Sequence, residues 1–318
     1  MELQNSSRRA KAHKPNKCRH GDVHYVAPSA PLRRRMLQAL GNIKAMCNSL
    51  VQDDNNMRLH ITTPLLLLMF VLSASSHTFA ANSPESIQRT YVLVHGSTGG
   101  AWDWKNIDRL LSARNHEVYR PTLTGLGERM HLANPDIDLT THINDVVNLI
   151  LFENLEHVVL VGHSYGGMVI TGVMERIPER IDYVFFLDAL VPDDGMSAQD
   201  TLNKILGQTP GITIIDGQVF MPWMNPNTYA NMPFPKDTPQ SLKTFTEPVS
   251  FIDDKAKSLP VTYVAYGTVE KGDDGSIIAS SNRQRAKDRG WKYISIISDH
   301  NAQRSHPEEL VEILESIP

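Results

Sequence analysis

The sequence predicts an α/β protein with a doubly wound, mostly parallel sheet and an inserted cap. From Arg89 onward, short apolar runs rich in β-branched residues alternate with longer segments that carry apolar residues at helical spacing. Strands that alternate with helices pair in parallel and are covered by helices on both faces. Between about residues 192 and 259 this alternation stops, and the chain is rich in Pro, Met and aromatic residues. That stretch is too short for a separate well-packed domain, and we predict that it forms the cap.

Six short runs are predicted as strands, and most of them are apolar and bounded by polar or turn-forming residues. They are Thr90–Val94, Glu117–Arg120, Val158–Val161, Tyr183–Leu187, Val261–Tyr266 and Tyr293–Ile297. Five segments are predicted as helices. In four of them apolar side chains recur every three or four positions, and Ser280–Arg289 is predicted from its place between two strands. They are Ile107–Arg114, His142–Phe152, Met168–Arg176, Ser280–Arg289 and Pro307–Leu314.

The composition is typical of a globular protein with a sizeable core, with 318 residues, 41% of them hydrophobic and 21% charged. The formal net charge of -4 argues against a basic nucleic-acid-binding protein, so no nucleic-acid partner is expected. Both cysteines, Cys18 and Cys47, precede the predicted sheet, which therefore contains no disulfide. The sequence has no His-Glu-x-x-His motif and no cysteine cluster, so neither a metal nor another cofactor is expected. No particular oligomeric state is indicated.

The first part of the chain differs in charge from the rest. Residues 1–56 hold 10 Lys and Arg against 4 Asp and Glu, and we expect them to lie upstream of the true start or to be disordered. A short basic segment at Met57, an apolar run over 64–72 and a small-residue exit predict a signal peptide over 57–81. Export to the periplasm or the medium would leave 82–318 as the mature domain, without a stable membrane span. The alternative is that the apolar run stays as a signal anchor.

A Gly-x-Ser-x-Gly motif at 162–166 follows a predicted strand and precedes a predicted helix. This context is that of a nucleophile elbow, in which the serine occupies a sharp, strained turn. Gly162 and Gly166 lack a Cβ, so the strand and the helix can approach each other closely around Ser164. The same turn points the Tyr165 N–H at the position where an oxyanion would develop.

Four further candidates lie after other predicted strands. The glycine-rich turn that follows the first strand can supply a second oxyanion donor, which we assign to the Ser97 N–H. His300 follows the last strand, where chain order places the base of a serine triad. Asp188 ends the fourth strand and is the favoured acid, with Glu270 after the fifth strand as the alternative.

Several large apolar residues are candidates for a substrate pocket, with plain core packing as the alternative interpretation. They are Trp102, Trp104, Phe220, Met221 and Trp223.

At these motifs the sequence resembles the α/β-hydrolase superfamily, and more closely the plant methylesterase and hydroxynitrile lyase group with its bacterial esterase relatives. The resemblance spans about residues 89–318 and includes the glycine-rich turn, the segment 121–129, the elbow and Asp299-His300. It implies that Ser164 is the nucleophile, that His300 is the base and that the Ser97 and Tyr165 amides form the oxyanion hole. The plant group usually has its acid near Val269 in this numbering, next to Glu270, whereas Asp188 matches a placement seen in other α/β-hydrolases.

The expected function is therefore that of a serine esterase, which cleaves small to medium carboxylic esters through an acyl-enzyme. The lyases of the group carry a lysine after the catalytic histidine, and this chain has Asn301 there, so lyase activity is not expected. A lactonase, a thioesterase or an acyltransferase could use the same residues. A ligand-binding protein without catalysis is the alternative from another class, because fold alone does not fix function.

Overall fold

The computed structural model describes residues 87–206, 211–267 and 277–318. The predicted leader, the signal peptide and Glu270 lie outside these residues. Across the described residues, no helix combines the length and the hydropathy needed to cross a bilayer.

A six-stranded sheet forms the centre of the described domain, in the order β2-β1-β3-β4-β8-β9, and every neighbouring pair is parallel. Its strands are β1 (Thr90–Val94), β2 (Glu117–Tyr119), β3 (Val158–His163), β4 (Ile181–Leu187), β8 (Val261–Gly267) and β9 (Lys292–Ile297). A second, antiparallel sheet contains β5 (Thr213–Ile215), β6 (Gln218–Phe220) and β7 (Gln240–Ser241). The α/β class and the mostly parallel sheet expected from the sequence are thereby confirmed.

The described helices are α1 (Lys105–Ala113), α2 (Leu139–Phe152), α3 (Gly166–Arg176), α4 (Ala198–Leu206), α5 (Lys243–Thr246), α6 (Asp254–Ser258), α7 (Ile277–Asp288), α8 (Ala302–Ser305) and α9 (Pro307–Glu315). Short 3₁₀ helices lie at Ala101–Trp104, Gly127–Leu132, Pro178–Arg180 and Tyr229–Asn231. Each of the six strands and five helices predicted from the sequence is present, with ends shifted by at most three residues. The largest shift at α2 arises because Asp138 caps the helix, accepting the Thr141 N–H at 2.8 Å.

The core has two layers because the central strands are buried on both faces. Along β1, Val92 and Val94 pack into one apolar cluster with α2 and α3, whereas Tyr91 and Leu93 pack into the other with α1 and α9. Side chains of a strand point alternately to opposite faces, so a strand covered on both sides is apolar without interruption. The predicted central strands show this composition.

The chain leaves the main sheet after β4 and returns to it at β8, and these two strands are direct neighbours, with Leu187 paired to Val264. Between them lie α4, the small antiparallel sheet, α5 and α6. This is the stretch for which the sequence showed no regular alternation. Its strands are only two or three residues long, which is too short for a period-2 pattern to be visible.

Candidate active site

The strand β3 meets the helix α3 in a sharp turn at Ser164, whose φ of 53° lies in the left-handed region. Strain of this kind persists only where the surrounding structure enforces it. Here the enforcement is close backbone packing. A Cβ at Gly166 would lie 2.8 Å from the Val94 carbonyl oxygen, and one at Gly167 would lie 2.1 Å from that of Leu190. The Gly-x-Ser-x-Gly motif accounts for Gly162 and Gly166 but does not include Gly167, which has the tightest environment of the three.

Three side chains at this edge of the sheet form a hydrogen-bonded line. The distance between His300 Nε2 and Ser164 Oγ is 2.9 Å, and that between His300 Nδ1 and Asp188 Oδ2 is 2.6 Å. The Asp188 carboxylate accepts the Nδ1–H, so the lone pair of Nε2 faces the serine hydroxyl. This tautomer is the one that a general base needs, because Nε2 can then accept the hydroxyl proton.

Asp188 holds its position through the backbone as well as through its side chain. It immediately follows β4, has a φ of 41° and is fully buried. Its N–H donates to the Val264 carbonyl oxygen at 2.8 Å, which extends the pairing between β4 and β8 by one residue. The structure thus places Asp188 next to the imidazole, as expected for the favoured acid. The alternative acid, Glu270, lies outside the described residues.

The two backbone amides assigned to an oxyanion hole lie on either side of Ser164 in the fold. Tyr165 follows the serine directly, and a Cβ at Gly96 would lie 3.1 Å from the Cβ of Ser164. In the described part of the chain, no backbone or side-chain acceptor takes the N–H of Ser97 or of Tyr165. Both donors are therefore available to a substrate oxygen.

The Gly96–Ser97 peptide is oriented by His95, which has no exposed surface. His95 Nδ1–H donates to the Gly96 carbonyl oxygen at 2.8 Å, and His95 Nε2 accepts the Leu123 N–H at 3.1 Å. Because the C=O and N–H of a trans peptide point in opposite directions, this contact turns the Ser97 N–H away from His95. His95 is thus a structural group beside the oxyanion turn.

His163 supports the loop that carries His300. Its Nε2–H donates to the His300 carbonyl oxygen at 2.6 Å, and the two rings lie 4.7 Å apart. Burial, together with the adjacent His300, lowers the pKa of His163 well below its usual range. The ring is therefore neutral and contributes position rather than charge.

The structure does not gather the predicted pocket residues into one pocket. The expectation for Trp104 is wrong, because this side chain has no exposed surface and packs in the core, 6.4 Å from the His163 ring. Trp102 lines a cavity of about 650 Å³ with Met130 and Phe234, and neither Ser164 nor His300 is among its described lining residues.

The remaining three pocket candidates lie in and just after the small antiparallel sheet. Phe220 is half-buried and packs edge to face on Tyr229, and Met221 is half-buried against the main core. Trp223 is 60% exposed, and its Nε1–H donates to Asp237 at 2.8 Å. A side chain with this exposure and a hydrogen bond on the surface does not line an enclosed pocket. Among the described residues, no group of three or more His, Cys, Asp or Glu side chains could hold a metal ion.

A comparison with protein families matches residues 91–313 to the alpha/beta hydrolase family. The chain belongs to this family. The match covers both sheets and every element that carries a candidate site residue in the described structure. It confirms the resemblance drawn from the motifs.

Individual relatives agree with this assignment. The chain is 45% identical over 127 residues to the carbendazim hydrolyzing esterase of Nocardioides sp. (strain SG-4G), covering 40% of this chain and 52% of the relative. It is 34% identical over 157 residues to methylesterase 1 of Arabidopsis thaliana, covering 49% of this chain and 59% of the relative. In these matches the chain spans little more than half the length of each relative.

Solved structures share the fold. An extracellular alpha/beta-hydrolase from a Paenibacillus species superimposes with a TM-score of 0.54 at 24% identity, covering 71% of this chain and 97% of that one. At this identity the likeness concerns the fold alone. The superposition covers nearly the whole length of the Paenibacillus chain.

Buried histidines make the stability of this protein sensitive to acid. Burial lowers the pKa of His95 and of His142 to about 4, from about 6.5 in an unfolded chain. Between those pH values the unfolded state binds more protons than the folded state. The contribution of these two histidines to the free energy of unfolding is therefore fully present above about pH 6.5 and is lost as the pH falls towards 4. At about pH 4 the loss amounts to about 3 kcal/mol of unfolding free energy for each histidine. Burial raises the pKa of Asp103 to about 6, so this residue acts in the opposite direction. It offsets roughly the loss of unfolding free energy that one of the two histidines causes.

We therefore expect the urea midpoint of unfolding to fall steadily from pH 7 to pH 4.5. The variant His157→Asn is the matched control, because its side chain is 83% exposed and asparagine tolerates the local φ of 55°. It should keep the slope of the wild type, whereas His142→Gln should lower stability at pH 7 and flatten the slope. A wild-type midpoint that does not change over this range would contradict the assignment of neutral buried histidines.

Proposed function

We propose that this chain is a serine hydrolase that cleaves carboxylic esters through an acyl-enzyme. The observation that carries the proposal is the hydrogen-bonded line of Ser164, His300 and Asp188, in which the imidazole already has the tautomer of a base. Two available backbone amides beside the serine provide the second requirement, a site for a developing negative charge. The names of the relatives, an esterase and a methylesterase, agree with this chemistry.

The proposed reaction has two halves. Ser164 Oγ attacks the ester carbonyl carbon while His300 Nε2 takes the hydroxyl proton, and the carbonyl oxygen becomes an oxyanion held by the Ser97 and Tyr165 amides. Collapse of this intermediate breaks the bond to the alkoxy group, which leaves as an alcohol with the proton from His300. A water molecule then attacks the acyl-enzyme with His300 again as base, and the acid and free serine are released.

Asp188 serves this cycle without changing its own protonation. Its carboxylate holds the Nδ1–H and stabilises the imidazolium that forms in each half-reaction. Because Asp188 is fully buried, its charge acts on the ring with little screening by water.

The test begins with a panel of substrates given to the full chain. It includes esters of acetate through octanoate, methyl esters of aromatic acids, carbendazim, lactones and thioesters. Ester hydrolysis, with a fluorophosphonate adduct at Ser164 detected by mass spectrometry, is the expected result. Turnover of lactones or thioesters alone, or faster acyl transfer to an added alcohol than to water, would redirect the proposal to those reactions. Absence of both turnover and adduct would refute it.

We also propose that the protein is exported by a signal peptide that starts near Met57. The support is the order of a basic, an apolar and a small-residue segment over 57–81. N-terminal sequencing of the protein from the periplasm or medium is expected to begin near residue 82. A mature chain that still contains Met57 would favour the signal anchor instead.

His163 gives a prediction about positioning. His163→Leu removes the donor to the His300 carbonyl group, and we expect kcat to fall by about 100-fold, the scale of a misplacement near 1 Å. His163→Gln can place an amide N–H near the lost Nε2–H and should recover most of the activity. Equal losses in both variants, or no loss in either, would show that the hydrogen bond does not position the base.

A further inference from the structure

The turn that carries the Ser97 donor has a strained residue next to it. Thr98 has a φ of 60° although its side chain is β-branched, and it is fully buried. A β-branched residue rarely adopts this conformation, and such strain persists only where neighbouring groups fix it. His95 fixes the peptide before Ser97, and its hydrogen bonds to Gly96 and Leu123 do not reach the peptide after it. A group other than His95 must therefore hold the Ser97–Thr98 peptide.

The holding group comes from the segment inserted between β4 and β8. Gln240, on β7, is 1% exposed, and its Oε1 accepts the Thr98 N–H at 2.8 Å. Its Nε2–H₂ donates to Thr244 Oγ1 at 2.7 Å, and that hydroxyl donates to the Ser241 carbonyl oxygen at 2.7 Å. The amide of Gln240 is therefore fixed at both ends and cannot turn without breaking a buried hydrogen bond.

A second contact fixes the next peptide of the same turn. The N–H of Thr238 donates to the Thr98 carbonyl oxygen at 2.7 Å, and the Thr238 hydroxyl accepts the Gly127 N–H at 3.1 Å. The backbone N–H and the carbonyl oxygen of Thr98 are thus both hydrogen-bonded to one inserted segment, about 140 residues away in the chain. Without these bonds the Ser97–Thr98 peptide could rotate and relieve the positive φ.

The same segment also packs on the residue that carries the other amide. Phe245, in α5, lies 5.6 Å from the Tyr165 ring, measured between ring centroids. Tyr165 is fixed from its other side by His142, whose Nδ1 lies 3.0 Å from the phenol oxygen. Thr238, Gln240 and Phe245 therefore contact the two turns that would stabilise the oxyanion.

We propose that Gln240 is a positioning residue for the oxyanion hole, through which the inserted segment sets the place of the Ser97 amide. The inference rests on the proposed esterase function and adds a residue that the motifs do not reveal. Gln240 touches no reacting atom in this scheme. It acts on the transition state because the Ser97 N–H must lie where the carbonyl oxygen becomes negative, and a small displacement weakens that contact.

The experiment compares Gln240→Leu, which has no acceptor for the Thr98 N–H, with Gln240→Glu, which keeps one. In Gln240→Leu we expect kcat to fall about 100-fold while KM stays within about threefold, because only the transition state loses an interaction. Gln240→Glu should recover most of kcat, since the Thr244 hydroxyl can rotate to donate to the second carboxylate oxygen. A trifluoromethyl ketone, which forms an oxyanion with the serine, should bind Gln240→Leu more weakly by the factor lost in kcat/KM.

Ser241→Ala is the matched control. Ser241 is the neighbouring residue of β7, is also buried, and its hydroxyl donates to the Pro135 carbonyl oxygen at 3.0 Å rather than to the oxyanion turn. It should lower the unfolding midpoint and leave kcat unchanged. If Gln240→Leu loses only stability, or if Ser241→Ala loses kcat to the same degree, Gln240 is a structural residue and the inference is overturned.

The rate of labelling by a fluorophosphonate separates this inference from the proposed function. If the wild type labels at Ser164 but hydrolyses no ester, the esterase proposal fails, and slower labelling of Gln240→Leu than of Ser241→Ala still supports the inference. Equal labelling rates in those two variants would overturn it. A wild type that neither labels nor turns over would remove the basis of both.

Discussion

Replacing Ser164 by alanine is expected to lower ester turnover by about 10⁶-fold, the loss found when the nucleophile of a serine triad is removed. The residue lies at the end of β3 with a φ of 53°, and its hydroxyl lies 2.9 Å from His300 Nε2. Alanine has the same Cβ and meets the same backbone constraint, so the elbow should keep its shape. The acyl-enzyme cannot form in this variant, and any residual rate would come from the oxyanion donors and substrate binding alone.

The measurement is kcat/KM on the best ester of the panel, together with labelling by a fluorophosphonate and the urea midpoint of unfolding. Ser112→Ala is the matched control, because Ser112 lies on α1 and its hydroxyl donates to Asp108 at 3.1 Å. It should retain full activity and labelling. Turnover in Ser164→Ala above about one thousandth of the wild-type rate would show that another group is the nucleophile.

The main sheet could be predicted from the sequence because its central strands are buried on both faces and most of its helices have one apolar side. These are local patterns, and each appears within a window of ten or so residues. The places of Ser164, Asp188 and His300 could also be predicted, since all three follow strands and the carboxyl ends of parallel strands meet at one edge. The choice between Asp188 and Glu270 stayed open because both follow neighbouring strands. In the structure Asp188 lies 2.6 Å from His300 Nδ1, whereas Glu270 lies outside the described residues.

Other features could not be predicted because their causes are not local. Gln240 contacts Thr98 across 142 positions of the chain, and no periodicity marks either residue. The role of His163 also depends on a contact across 137 positions. The error at Trp104 has a more local cause. The 3₁₀ helix at Ala101–Trp104 turns Trp104 into the core and leaves Trp102 partly exposed, although the two residues are only two positions apart.

Replacing Asp188 by asparagine is expected to lower kcat by about 10⁴-fold, the loss seen when a triad histidine is left in the wrong tautomer. In the wild type the carboxylate only accepts, so the proton of the neutral imidazole stays on Nδ1 and Nε2 faces Ser164. The amide of asparagine can instead donate to Nδ1, which moves the ring proton to Nε2. An imidazole with that tautomer donates to Ser164 Oγ and cannot take its proton.

Asp188→Asn should be measured beside Glu270→Gln, because each removes the charge of one candidate acid. The buried position of Asp188 and its 2.6 Å contact with His300 predict the large loss for Asp188→Asn and little change for Glu270→Gln. The asparagine keeps its backbone N–H to Val264, so the edge of β4 stays paired and folding should survive, which the urea midpoint will check. A larger loss in Glu270→Gln would assign the acid to the loop after β8, as in the plant group. In that case the hydrogen bond between Asp188 and His300 would have a structural role only. The negative charge that stabilises the His300 imidazolium would then come from Glu270.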